Sequence, residues 1–222
     1  MKMKLSLLAL AAAFAGTLSA GSVVLTSNLA EPLDGANTIG TSTWFAISFF
    51  TDGNSYSLTS ATLVMELGDG GVVTSVAPAF SPAAVADIPE LDLYSDNGGN
   101  VGSELATFTD PITFTTSLDD NVFTISGVTV SPNTTYWLVL KALSGIVSWG
   151  FPTDDNGTGI GFTDTFTATT NGGATWDTPV AGDEPNLAEV DANLSGVPEP
   201  STAWLVIPGF LLLAAIRARR TV

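Results

Sequence analysis

The side chains able to do chemistry in this sequence are almost all carboxylates. Twenty-two residues are Asp or Glu, and the chain has neither histidine nor cysteine. Without imidazole there are no Ser-His-Asp triads or ordinary zinc sites, and without a thiol there is no thiolate nucleophile. Acid chemistry remains. Adjacent acids occur at Asp119-Asp120, Asp154-Asp155 and Asp183-Glu184, and a retaining or inverting glycosidase needs only two carboxyls at a suitable separation. Each pair, however, lies beside Asn, Gly or Pro, where Asp is an ordinary turn former and lacks the burial that tunes an acid. The expectation is a chain with no catalytic residue, not an enzyme; an acid-dependent glycoside hydrolase is the reading these pairs would otherwise support.

Two further groups of oxygens and rings bear on binding. The stretches "DNGGN" (96–100) and "DDNG" (154–157) offer oxygens of the kind calcium takes, with Asp96, Asp154 and Asp155 as candidate ligands. Neither follows EF-hand spacing, and a plain β-turn accounts for both, so no cofactor is expected. Trp44, Trp137, Trp149 and Trp176 could stack on sugar rings. The first two lie in apolar runs and read as core, whereas Trp149 and Trp176 are flanked by Gly or Asp and are the candidate glycan contacts. They give the alternative reading, a lectin-like module that binds extracellular polysaccharide.

The elements that position these residues are strands. The middle of the chain is rich in Thr, Ser, Gly and Asn, with short β-branched and aromatic runs and no sustained helical period. On period two, "TWFAISFF" (43–50) places Phe45, Ile47 and Phe49 on one face, and Trp44, Ala46 and Phe50 on the other, as in a strand covered on both sides. "LTSATLVMEL" (58–67) sets Ala61, Leu63, Met65 and Leu67 against Ser60, Thr62 and Glu66, the pattern of a half-buried antiparallel strand. Further strands are expected at 91–95, 113–118, 121–130, 135–143, 146–151, 161–169 and about 187–192, with "TDGN", "GDGG", "SDNGGN", "LDDN", "SPNT", "DDNGTG" and "TNGG" as turns. The stretch 77–90, with three prolines, reads as a long surface connection. The fold class expected is all-β, a two-sheet antiparallel sandwich over 21–192.

The two ends are of another character. Of six basic residues, five are terminal: Lys2, Lys4, Arg217, Arg219 and Arg220. Between Gly21 and Val197 a single lysine, Lys141, faces 21 acids; such a surface repels phosphate backbones, which argues against a nucleic-acid partner. Residues 1–20 have the layout of a secretory signal peptide: two lysines, an apolar stretch and small residues up to Ser19-Ala20. That implies a signal helix handled by the Sec machinery and signal peptidase. Near the other end, residues 193–200 read as a linker and 201–222 as a hydrophobic segment with a basic tail. From Thr202 through Trp204 and Pro208 to Ile216 there are 15 residues, which as a transmembrane helix rise about 22 Å against a hydrocarbon core of about 30 Å. The positive-inside rule keeps Arg217, Arg219 and Arg220 cytoplasmic and leaves the sandwich outside. Pro198 and Pro200 hold the approach extended.

Two resemblances follow from the quoted residues. "VPEPSTAWLVIPGFLLLAAIRARR" (197–220) resembles the PEP-CTERM sorting signal, with Val197, Pro198, Glu199 and Pro200 as the motif, then an apolar segment and a basic cluster. Pro208 departs from the usual apolar run. The resemblance implies recognition by an exosortase, a membrane-embedded protease or transpeptidase. It also implies residence in the inner membrane during sorting and then at the cell surface or outside the cell, often where extracellular polysaccharide is made. "LDLYSDNGGNVGSELATF", "SPNTTYWLVLKAL" with "VSWGF", and "GIGFTDTFTATTNGGATWD" are together similar to the choice-of-anchor R domain of exported bacterial proteins, over roughly 36–192, about the size of one domain. This implies a jelly-roll-like sandwich.

Overall fold

Alternating runs bounded by turn residues have one economical outcome, antiparallel ladders that share a core, and the computed structural model has this form. It describes residues 21–68, 86–182 and 185–195; the expected signal helix, the "VPEP" motif, the membrane segment, the arginine cluster and the Asp183-Glu184 pair lie outside the described residues. The strands are β1 (Ser22–Ser27), β2 (Leu33–Ile39), β3 (Trp44–Phe50), β4 (Tyr56–Leu67), β5 (Ile88–Asp96), β6 (Val101–Thr107), β7 (Asp119–Thr124), β8 (Thr129–Val130), β9 (Thr135–Ser144), β10 (Val147–Pro152), β11 (Phe162–Thr169), β12 (Val180–Ala181) and β13 (Ala188–Leu194). No helix occurs among the described residues, and Ser22–Ser195 form one compact unit.

Two antiparallel sheets result. The first runs β1-β13-β4-β10-β2, with β7 and β8 also on β4; the second runs β12-β11-β3-β9-β5-β6. Inward side chains of β4, β10 and β13 meet those of β3, β5 and β9: Leu58, Leu63, Met65, Val147 and Val190 against Phe49, Leu91, Leu93, Leu138 and Leu140, all essentially without solvent contact. Each such side chain contributes about 1.5–3 kcal/mol on burial. In β4 the period shifts: Asp191 pairs with Ser60 but Ala192 with Leu58. Thr59 is thus an extra residue, and this bulge brings Tyr56 and Leu58 onto the same face as Ala61, Leu63 and Met65.

Some expected strands differ. Residues 113–118 form no strand, because the buried Asn121 side chain ties them down instead of a ladder: Thr115 N donates to its Oδ1 (3.0 Å), and Asn121 Nδ2 donates to Met65 O (2.8 Å). The run 121–130 is divided into β7 and β8 around Gly127, at φ 75°. The last strand extends to Leu194, past the expected end at residue 192.

The first sheet forks at β4. Leu63 pairs with both Ala188 and Asn121, and Met65 with both Trp149 and Asp119, so β13 and β10 succeed one another along one side of β4, opposite β7. Trp149 fills the fork. It is fully buried and its indole N–H donates to Leu187 O at 2.9 Å. Buried Asn186 donates through Nδ2 to Trp149 O (2.9 Å), and Asn28 Nδ2 donates to Pro185 O (3.0 Å) while its Oδ1 accepts from Ala188 N (2.7 Å). This corrects the expectation that Trp149 is exposed for a glycan. It shares inward parity with Val147, and the neighbouring Gly150 is small because Leu33 and Val64 pack where its Cβ would be, at 2.7 and 3.2 Å.

Candidate functional site

The second sheet has an outer face that no other sheet covers, yet much of it is sealed. Strand alternation turns Trp44, Ala46 and Ser48 of β3, Trp137, Val139 and Lys141 of β9, and Glu90, Asp92 and Tyr94 of β5 away from the core. The register sets Lys141 opposite Glu90, Val139 opposite Asp92 and Trp137 opposite Tyr94. Ala46, Val139 and Asp92 are nevertheless fully buried, and Trp137 almost so.

The cover comes from aromatic side chains and the loop after β11. Thr169 Oγ1 donates to Thr175 O (2.6 Å), Thr167 Oγ1 donates to Asp177 O (2.8 Å), and Asp177 N donates to Ala168 O (2.9 Å). These bonds fold 170–177 back over the sheet. Trp176 thereby lands on Trp44, with ring centroids 6.5 Å apart and planes inclined by 59°. Gly173, at φ 80°, lies so close to the Trp44 ring that a Cβ there would come within 2.5 Å of it. Trp44 Nε1 donates to Thr41 O at 3.2 Å.

Under this cover sits the one lysine of the sandwich. Lys141 Nζ lies 2.7 Å from Glu90 Oε1, 2.7 Å from Asp92 Oδ2 and 3.7 Å from Glu104 Oε2, and 5.3 Å from the Trp44 ring centroid. The Asp92 side chain has no solvent exposure and that of Lys141 11%, whereas Glu90 and Glu104 keep 27% and 48%. The ammonium is the main compensation for the sealed Asp92 carboxyl, with the Thr107 side chain as a further hydrogen-bond partner. Burial pushes the Asp92 carboxyl up against the opposing pull of Lys141. For Lys141 burial acts downward, but the Asp92 and Glu90 carboxylates outweigh it and hold the ammonium above its usual range. Burial, with the Asp92 and Glu104 charges adding and Lys141 opposing, pushes the Tyr94 phenol up to about 12. The arrangement holds an amine, a sealed carboxyl and a second, solvent-reaching carboxyl together in a largely dry place.

The sequence-based candidates fall elsewhere or only touch this site. Asp96 ends β5 with both oxygens engaged: Oδ1 accepts from Trp137 Nε1 (2.9 Å) and Oδ2 from Gly99 N (2.9 Å). It organises the β5–β6 turn, where Gly98 and Gly99 take φ of 67° and 85°. Asp154 caps its own turn through Asn156, Asp155 is exposed, and Glu31 is pushed up by a hydrogen bond shared with Asp154. Among the described residues no group of three or more acidic, His or Cys side chains is arranged to hold a metal. Asp119 Oδ1 accepts from Asp120 N on the exposed start of β7. Trp176 is half-buried, with one side against Trp44. The Lys141–Asp92–Glu90 group was missed, although "TYWLVLKAL" and "LDLYS" each carry one charge in an apolar strand, and Lys141 shares parity with Trp137. No protein-family model and no curated protein sequence matches this chain.

Proposed function

We propose that this chain is an exported bacterial cell-surface or extracellular-matrix protein, non-catalytic, whose C-terminal segment is a PEP-CTERM signal read by an exosortase. One observation carries the reading: the order of the tail, Val197-Pro198-Glu199-Pro200, then the apolar run 202–216, then Arg217, Arg219 and Arg220. The all-β unit Ser22–Ser195 is then the delivered cargo, with a jelly-roll-like strand order, and residues 1–20 and 201–222 are the signal and membrane helices. Mass spectrometry of the mature C-terminus in the native host tests it. Cleavage near "VPEP" is expected; an intact "RARRTV" end on surface-located protein overturns it.

The lectin-like alternative is favoured by one feature, the half-buried Trp176 over the second sheet. A glycan array on the full chain and its Trp176→Ala variant separates the two readings, because a purely structural protein retains no sugar on either.

A further inference from the structure

Lysine and aspartate on neighbouring strands ordinarily form an ion pair and stop there. Three features of the outer face of the second sheet take the Lys141–Asp92 pair further. The nitrogen is 2.7 Å from Asp92 Oδ2, an oxygen bonded to Cγ, so the two groups to be joined are already held in contact, which is where intramolecular reactions gain their rate. The Asp92 carboxyl is wholly sealed from solvent, and only the Lys141 ammonium and the Thr107 hydroxyl draw it toward its charged form. A second carboxyl, Glu90 Oε1, touches the same nitrogen at 2.7 Å and reaches solvent, which equips it to carry protons in and out.

We propose that Lys141 and Asp92 become joined by an amide between Nζ and Cγ, formed by the folded domain itself with Glu90 as the proton carrier. The resting pair is ammonium and carboxylate, so Glu90 first takes one proton from the ammonium and passes it to Asp92, and the neutral amine then attacks Cγ of the protonated Asp92 carboxyl. A second proton leaves the nitrogen and passes by way of Glu90 to the departing hydroxyl. One N–C bond forms, one C–O bond breaks and one water is released, with no net gain or loss of a proton. No oxidant, metal or co-reactant is needed. Burial raises the Asp92 carboxyl and so lowers the cost of the neutral form this step passes through. Effective concentrations of about 10⁵–10⁸ M for well-oriented groups, together with the exclusion of water beneath Trp44, Trp137 and Trp176, favour condensation where bulk water would not. The roles are distinct. Asp92 is the acceptor because it is sealed, and Glu90 the base because it is not.

This tie would connect β5 to β9 in a chain that has no cysteine to make a disulfide. It does not depend on the tail, so its failure leaves the sorting reading untouched. The test is peptide-level mass spectrometry of the full chain after prolonged incubation at neutral pH, using a protease that cuts at apolar residues. The expected result is a branched peptide joining 88–96 to 135–144 and lighter than the two linear peptides by one water. Lys141→Arg should give only linear peptides, and Glu90→Gln should slow linking by about a hundredfold or more, the usual share of a general base. A wild-type chain that yields only linear peptides, with a Lys141 amine that an acylating reagent labels after unfolding, overturns the proposal without reliance on any variant. Linking at an unchanged rate in Glu90→Gln overturns the role given to Glu90.

Discussion

Replacing Trp149 by alanine tests whether the forked sheet depends on this side chain for stability, as its burial implies. The substitution removes a fully buried indole and its 2.9 Å hydrogen bond to Leu187 O. Core Trp-to-Ala changes cost about 3–5 kcal/mol, a large fraction of the about 5–15 kcal/mol that keeps a domain folded. Trp149→Phe keeps most of the apolar volume and loses the hydrogen bond. Leu187 O still accepts from Val64 N at 3.3 Å, so this change sits near the low end, about 1 kcal/mol. At about 2–4 °C per kcal/mol for a domain of this size, the expected drops in Tm are about 6–20 °C for Ala and about 2–4 °C for Phe. Trp176→Ala, half-buried and packed mainly on Trp44, should cost only about 1–2 kcal/mol. Thermal and urea unfolding followed by circular dichroism make the comparison. If Trp149→Ala melts within about 3 °C of the parent, or Trp176→Ala is the more damaging change, the fork is not held as described.

Other outcomes follow from the same geometry. Lys141→Met strands the sealed Asp92 carboxylate and should cost about 3–5 kcal/mol at neutral pH; Asp92→Asn in the same chain should recover much of that, measured by urea unfolding. With the lysine gone the Asp92 carboxyl rises further above its unfolded value, so the variant should regain stability as pH falls, contrary to ordinary acid denaturation. Gly161→Ala should cost about 3 kcal/mol or more, because its Cβ would lie 1.4 Å from Phe50 O, the backbone of β3; soluble yield and Tm would show it. In an alkaline absorbance titration one tyrosine should ionise near 12 and disappear in Tyr94→Phe. The raised phenol keeps its proton in the folded state, so its contribution is complete below about pH 10 and is lost as pH climbs through about 12.

Most of the architecture could be read from periodicity because strand alternation is a local property. Phe45, Ile47 and Phe49 face the core as their spacing demands, and the turns at 97–100 and 131–134 lie between strands. What could not be read depended on partners distant in sequence. The glycine beside Trp149 points to the surface, whereas its indole and carbonyl are bonded to Leu187 and Asn186, far along the chain. The strand expected at 113–118 is replaced by side-chain bonds from Asn121, a substitution that β-propensity does not anticipate. In the candidate site each member was visible as an isolated charge in an apolar run. Their meeting depends on the β5–β9 register, which puts Lys141 opposite Glu90 and diagonal to Asp92.

That meeting is costly, which is the best reason to ask what it is for. A buried ion pair seldom stabilises more than well-packed apolar residues of similar volume, because taking two charges out of water costs several kcal/mol each. Here the Lys141 contact and the Thr107 hydroxyl work against the desolvation of Asp92, while Glu90 and Glu104 crowd the same ammonium with further negative charge. The local balance is three acids to one base, so the group is over-supplied with carboxylate for a structural pair. Two different accounts explain the surplus. As a plain salt bridge, one acid is redundant and Glu90→Gln should be nearly neutral in stability and leave Lys141 chemically unmodified. As a condensing group, the sealed acid is the acceptor and the exposed one the base. The amide that results removes both buried charges, and the desolvation penalty of the pair disappears with them. The second account gives the sealed carboxyl and its water-reaching neighbour on the same nitrogen distinct roles.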